Sequence, residues 1–267
     1  MDEVFWPAAL AIATGDLGAL ADLLDADPTL ATKSSSTSHP TLLHFVACDA
    51  AKIVNPIGAA SLLVDAGADT DGPLISAAGC DSHTVVQFLL EQGADIDTGD
   101  TWSPLDEALY WSNMEMATTL IRHGARVRAL STAAGLGRVD LVQQFFASDG
   151  LRPNAGPIGS PFPETIGGSA SDPLAIVDHA FVMAINNGCR EVGEFLVSKG
   201  ARVNAPPPGF HWKGTALHAA VWRNDASLVE WLRSIGADPS VRDGMTNSDA
   251  VGWATYHDHP LLIPLLQ

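Results

Sequence analysis

Apolar residues recur along the chain at the spacing of an amphipathic helix, and each apolar segment is followed by a glycine. The pattern occurs five times, in the segments LLVDAGADTD, LLEQGADIDT, LIRHGARVRA, LVSKGARVNA and LRSIGADPSV. Glycine adopts the left-handed backbone conformation that commonly ends a helix without steric cost. The pattern therefore predicts helices that end at Gly67, Gly93, Gly124, Gly200 and Gly236.

Shorter helices are predicted upstream of two of these segments. They are TLLHFVA (41–47) and TALHAAV (215–221), in which small residues such as Ala219 and Ala220 allow close approach between neighbouring helices. One pair of helices cannot bury its own apolar face, whereas stacked pairs share a continuous core. The sequence therefore predicts a series of stacked helix pairs.

These motifs resemble the ankyrin repeat, which has a T-P-L-H-x-A signature and a period of about 33 residues. The separation from His218 to Gly236 matches the family spacing, and so does that from Asp106 to Gly124. The resemblance implies an all-α solenoid of helix-turn-helix units with short β-turn fingers, in a single domain over 1–267. The repeats are predicted at approximately 5–31, 41–71, 73–97, 101–128, 129–154, 174–204, 214–240 and 245–267.

The chain departs from this period in three places. The third and fifth repeats are short and lack the projecting turn. An insertion at 151–173, rich in Gly, Pro and Ser, is longer than an ordinary connection, so it is either an ordered lid or a passive insertion. The last repeat ends in LLIPLLQ, which either caps the stack or contacts a second copy. A monomer or a weak dimer through the C-terminal repeat is expected.

Composition and charge exclude several classes of partner. Apolar residues make up 46% of the chain and the net charge is −17. A folded protein is expected, and the charge opposes binding to nucleic acid or to an anionic membrane surface. No apolar run approaches the roughly 20 residues that cross a bilayer, and the N-terminus lacks a signal-peptide pattern. The three cysteines form no disulfide framework, so a cytoplasmic location is expected.

Candidate binding residues follow from the resemblance, because ankyrin inner helices present the residue after the signature histidine, and those three and four further on, to the concave side. The stiff turn NAPPPGFHWKGT before the seventh repeat adds further rings, and the start of the sixth inner helix adds a histidine. The resulting candidates are Phe45, Glu107, Tyr110, Trp111, His179, Met183, His211, Trp212, Trp222, Trp253, Tyr256 and His257. Together they predict an acidic groove lined by aromatic rings.

Two functions are compatible with such a groove. The resemblance implies binding of a protein or peptide partner. The alternative is a small-molecule-binding protein or a cofactor-independent lyase, isomerase or hydrolase with an apolar or aromatic ligand. Its acid or base would come from Glu107, Asp178, His179 or His211, although N-capping of a helix also explains Asp178. No nucleotide-binding or metal-ligand motif is present, so neither a cofactor nor a metal is predicted.

Overall fold

The computed structural model describes residues 2–35, 40–148 and 150–267. The chain divides between Arg126 and Val127 into two compact units. Within the described residues, sixteen α-helices follow one another as eight helix-turn-helix pairs, accompanied by one small two-stranded sheet. The predicted all-α repeat fold is confirmed, whereas the expectation of a single domain stays a prediction.

The first unit contains four helix pairs. Their helices are α1 (Trp6–Thr14), α2 (Leu17–Ala26), α3 (Leu42–Asp49), α4 (Pro56–Asp65), α5 (Asp71–Gly79), α6 (His83–Glu91), α7 (Pro104–Tyr110) and α8 (Met114–Arg122). The first helices of the pairs pack side by side, α1 on α3, α3 on α5 and α5 on α7. The second helices α2, α4 and α6 pack in the same order, so the core of this unit lies between two helical layers.

The second unit contains the other four pairs and the sheet. Its elements are α9 (Leu130–Gly135), α10 (Val139–Gln144), β1 (Phe146–Ala147), β2 (Gly150–Leu151), α11 (Pro173–Asn186), α12 (Arg190–Ser198), α13 (Ala216–Trp222), α14 (Ala226–Ser234), α15 (Ala250–Tyr256) and α16 (Ile263–Leu266). Helices α9, α11, α13 and α15 pack in that order. Strands β1 and β2 are antiparallel, with Phe146 opposite Leu151.

One hydrogen bond recurs at the end of five second helices. In each case the N–H of an alanine donates to the carbonyl of the leucine five residues earlier, as Ala94 does to Leu89 at 3.0 Å. The glycine between them has a φ of 89–100° at positions 67, 93, 124, 200 and 236. This is the Schellman arrangement, in which a left-handed residue lets the chain turn back and satisfy an otherwise unpaired helix carbonyl. The predicted helix ends are confirmed.

The core contains small residues where first helices meet and large apolar residues from both helices of each pair. Ala77, Ala78, Ala133 and Ala134 are fully buried where first helices meet. The leucines that accept the recurring hydrogen bond are also fully buried, and they are Leu63, Leu89, Leu120, Leu196 and Leu232. Full burial of one such side chain stabilises the fold by about 2 kcal/mol. Each helix end is therefore coupled to the core of its repeat.

The end of the chain is partly covered by its own fold. Leu262 and Leu266 are buried, and α16 packs against α14 and α15. Leu261 is exposed. The last helix therefore closes the second unit with part of its apolar surface. None of the described helices has the length and apolar content needed to cross a membrane.

Asp178 corrects one sequence interpretation. Helix α11 begins at Pro173 and is capped by Asp172, so Asp178 lies inside the helix and is not its N-cap. Its buried carboxylate accepts hydrogen bonds from the backbone N–H of Arg202 at 2.7 Å and from the Arg202 guanidinium at 2.6 and 2.8 Å. The pair ties the turn after α12 back to α11.

We predict that Arg202→Ala lowers the free energy of unfolding by roughly 2 kcal/mol, because the buried charge of Asp178 then loses its guanidinium partner. Arg138→Ala is the matched control, since Arg138 forms an ion pair with Asp140 in which both side chains are more than half exposed. Its effect should be too small to resolve, because solvent screens an exposed ion pair. Urea titration followed by circular dichroism measures both, and equal losses would contradict the assignment.

Candidate functional site

Glu107 is the buried acid of the first unit. It lies on α7, and its carboxylate accepts hydrogen bonds from the indole N–H of Trp102 and from that of Trp111, the latter at 2.8 Å. Burial raises the pKa of Glu107, and the two indole hydrogen bonds partly oppose that rise. A Cβ at Gly79 would lie 2.7 Å from the carboxylate, so glycine is required beside it. Both carboxylate oxygens are occupied by indoles of the same chain.

The rings around Glu107 differ in exposure. Trp111 is 43% exposed, whereas Tyr110 is buried and contacts Trp102 and Trp111 edge to face, at 5.7 and 5.2 Å between ring centroids. Trp111 follows Glu107 by four residues and lies about 40° from it around the helix axis, while Tyr110 is turned about 100° from Trp111. The structure therefore corrects the prediction for Tyr110. Phe45, on α3, is half-buried.

Four candidate residues of the second unit come together, and we call them the C-terminal ring cluster: Trp222, Trp253, Tyr256 and His257. The His257 ring lies at the centre, with ring centroids 4.7 Å from Trp222, 5.7 Å from Trp253 and 4.9 Å from Tyr256, all in edge-to-face contact. Trp222 ends α13, and the other three lie on or directly after α15. The seventh and eighth repeats thus contribute to one cluster.

The four rings of the C-terminal ring cluster differ in exposure. Tyr256 is 84% exposed and Trp222 is 52% exposed. Large apolar side chains that remain exposed in this way mark interaction surfaces when they are grouped. Trp253 and His257 are half-buried beneath them. Burial lowers the pKa of His257, and the neighbouring His259 lowers it further, so the imidazole is neutral at neutral pH.

Asp243 is hydrogen-bonded to Trp253 of the C-terminal ring cluster. Its carboxylate accepts a hydrogen bond from the Trp253 indole at 3.0 Å and from the backbone N–H groups of Met245, Thr246 and Ser248. Burial opposes the charge of Asp243, but these hydrogen bonds outweigh it and lower its pKa. The carboxylate therefore stays ionised and fixes the plane of the Trp253 indole. This anchor was not predicted, and its only sequence signal is the polar turn RDGMTNS.

The insertion at 151–173 is ordered and packs against the turn before α13. Ile158 donates its N–H to the carbonyl of Ala170 at 2.8 Å, which closes the insertion on itself. The Ser160 hydroxyl donates to the carbonyl of Gly209 at 2.6 Å, and the Phe162 ring lies 4.9 Å from that of His211. The insertion is therefore ordered and packs against its own unit, and we call residues 151–173 the flap. Its action as a lid stays a prediction.

The rings of the turn at 205–213 face the interior of the second unit. Phe210 is fully buried, stacks on His179 with centroids 4.7 Å apart, and lies 4.5 Å from Trp212. His179 and Trp212 are buried as well, and so is Met183 on α11. The structure corrects the prediction that these three side chains line the groove, because each of them is buried. His211 is half-buried.

The acid and base candidates are each held in separate contacts. Asp178 is paired with Arg202, whereas Nδ1 of the adjacent His179 is hydrogen-bonded to the carbonyl of Pro208 at 2.8 Å. Burial lowers the pKa of His179 to about 4 and also lowers that of His211. Across residues 2–35, 40–148 and 150–267, no three His, Cys, Asp or Glu side chains converge on a metal position.

Comparison with known families accounts for most of the chain. The model for ankyrin repeats in three copies matches residues 9–131, and the model for ankyrin repeats in many copies matches residues 179–233. The chain belongs to the ankyrin-repeat family. It is also similar to the crystal structure of the human ASB11 ankyrin repeat domain, with 19% identity, 96% of this chain and 97% of that chain covered, and a TM-score of 0.42. No curated protein matches the chain.

The family gives the signature residues their meaning. The ankyrin histidine is hydrogen-bonded to the threonine three residues earlier, and Thr215 and His218 do so through Oγ1 and Nδ1 at 3.0 Å. In the fourth repeat Asp106 replaces the histidine. Its carboxylate accepts a hydrogen bond at 2.6 Å from the hydroxyl of Ser103, which is also three residues earlier. Ankyrin repeats generally act as protein–protein interaction modules, and the chain shares this general role.

We predict that Gly209→Ala loosens the flap. Gly209 has a φ of 95°, and a Cβ there would lie 2.7 Å from the His179 ring and 2.9 Å from Ile158. Gly200→Ala is the control, because Gly200 has a similar φ of 98° but open space around the added carbon. Both substitutions cost about 1 kcal/mol in backbone strain. Only Gly209→Ala should accelerate Glu-C cleavage after Glu164, and equal rates would contradict the packing of the flap.

We predict a pH dependence from His179. Its pKa is about 4 in the folded chain and 6.5 in the unfolded chain, so the unfolded state binds more protons between these values. The contribution of neutral His179 to the free energy of unfolding is fully present above pH 6.5. It falls by roughly 3 kcal/mol as the pH is lowered to 4. His179→Asn retains a donor for Pro208 and removes the titration, so its urea midpoint should change less between pH 7 and 4.5. An exposed-site control, His123→Asn, should behave as wild type.

Proposed function

We propose that this ankyrin-repeat chain binds a protein partner through the C-terminal ring cluster. The observation that carries the proposal is the assembly of Trp222, Trp253 and Tyr256 around His257, with two of the rings largely exposed. Trp and Tyr are the residues that most often dominate the energy of protein interfaces. A partner segment that spans the seventh and eighth repeats would contact rings of both.

The proposed contact has a fixed geometry before any partner binds. Trp253 is held by Asp243, and its ring centroid lies 5.2 Å from that of the signature histidine His218. His257 touches all three rings of the cluster. Side chains that are already ordered lose less conformational entropy on association. The cluster is therefore better suited to binding than isolated surface rings.

Charge defines the class of partner. The chain carries a net charge of −17, the His257 imidazole is neutral, and Asp258 next to it is exposed. A segment with Arg or Lys is attracted by this charge, and its cation can lie over the Trp222 or Tyr256 ring face. Apolar side chains of the same segment would cover the ring edges. We therefore propose a basic segment with apolar residues as the ligand.

Peptide-phage selection tests this proposal. Peptides that are enriched on the wild-type chain are synthesised, and their Kd values are measured by fluorescence anisotropy for wild type and for Trp222→Ala combined with Tyr256→Ala. We predict enrichment of Arg or Lys beside an apolar residue, and at least tenfold weaker binding by the double variant, which is a loss of about 1.4 kcal/mol or more.

The matched control is Trp6→Ala, which removes a ring that is 65% exposed in the first unit. It should bind the same peptides as wild type does, and circular dichroism should show all variants folded. Binding that survives the double variant would exclude the ring cluster as the contact. In that case Trp111→Ala would test the exposed indole of the first unit instead.

A further inference from the structure

The first unit contains two thiols that neither the fold nor the proposed contact uses. Cys48 lies in the last turn of α3, and Cys80 directly follows α5, which packs against α3. Each thiol has the other as the largest influence on its pKa, as expected for side chains at the ends of two helices that pack together. Cys80 is exposed and Cys48 is half-buried. Reagents in solvent can therefore reach the Cys80 thiol, whereas the Cys48 thiol is less accessible.

Hydrogen bonds fix the backbone on both sides of this pair. The Ser82 hydroxyl donates to the carbonyl of Ala47 at 2.7 Å, so residues next to each cysteine are joined directly. Asn113 donates its side-chain N–H to the carbonyl of Gly79 at 2.7 Å. The first bond holds the end of α5 against the end of α3, and the second holds it against the turn between α7 and α8. The closeness of the two thiols thus follows from the packing of consecutive repeats.

We propose that Cys48 and Cys80 are a reversible thiol pair that closes to an intramolecular disulfide when it meets a disulfide oxidant such as oxidised glutathione. The Cys80 thiolate attacks one sulfur of the oxidant, forms a mixed disulfide and releases one glutathione thiolate. Cys48 then loses its proton to solvent and attacks the Cys80 sulfur, which releases the second glutathione. The protein loses two electrons and two protons, and the oxidant gains the two electrons.

The surroundings assign the order of attack. The hydrogen bond with Cys48 lowers the pKa of Cys80, and Lys52 lowers it further, while burial, Glu107 and Asp49 oppose the change. The pKa of Cys48 is raised by its hydrogen bond with Cys80 and by burial, with Asp49 adding to the rise. Thiolate character and exposure control the reactivity of a cysteine. Cys80 is accordingly the attacking group and Cys48 the resolving one.

The test uses the full chain and three single variants, Cys48→Ser, Cys80→Ser and Cys189→Ser, each incubated with oxidised glutathione, quenched with acid and alkylated. In wild type and Cys189→Ser, intact mass should fall by about two hydrogens, as expected for a disulfide. Free thiols in wild type should fall from three to one. Trypsin should release peptides 34–52 and 53–122 as one linked species, and reductant should separate them.

The variants distinguish closure from simple modification. Cys48→Ser should stop at a glutathione adduct on Cys80, and Cys80→Ser should react far more slowly. Cys189→Ser is the control, because that thiol lies in the second unit, donates to the carbonyls of Gly135 and Asn187, and has a pKa raised by burial. A stable wild-type adduct without the linked peptides, or a disulfide between two chains, would overturn the proposal. Either outcome leaves the ring-cluster proposal untouched.

Discussion

The recurring hydrogen bond at the ends of the second helices is the constraint on which the rest of the structure depends. A left-handed glycine lets the next alanine donate to the carbonyl of a fully buried leucine. Around Gly67, Gly93, Gly124, Gly200 and Gly236 an added Cβ would meet nothing within 4 Å. Glycine is needed there because of backbone conformation and not because of crowding. One local rule, repeated, therefore ends the second helix of five pairs in the same way.

The long turn before α13 shows how the same unit uses rings for internal packing. Phe210 and Trp212 are buried against each other, and the His179 imidazole is buried so completely that its Nε2 has no hydrogen-bond partner among the described residues. Gly209 is glycine for two reasons, its positive φ and the close approach of His179 and Ile158. The aromatic turn thus fills the space between α11 and the insertion.

Sequence reasoning succeeded where the deciding interactions are local and was incomplete where they are not. Helix ends follow from glycine and its neighbours, so the repeat pattern predicted them. Burial depends on what packs against a face: the Tyr110 ring contacts Trp102 and Trp111, and His179 is packed against Phe210, which lies about thirty residues further along the chain. The role of Asp178 depended on where α11 begins, and Pro173 with its cap Asp172 moves that start upstream. Trp222 and Tyr256 are exposed, and their place on the concave side stays a prediction.

In the second unit the hydrogen-bonded acids and histidine are buried, and the exposed side chains of the proposed contact are aromatic rings. Asp178, His179 and Asp243 are buried and hold backbone segments or an indole in place, whereas the exposed side of α13 and α15 presents rings. A buried group that is already hydrogen-bonded has little capacity to bind a ligand without first breaking that bond. The rings packed edge to face around the neutral imidazole can bind a partner without breaking a hydrogen bond. Covering these rings removes apolar surface from water and restricts few side-chain rotamers. The division favours recognition by apolar and cation–π contact over proton-transfer chemistry at this surface.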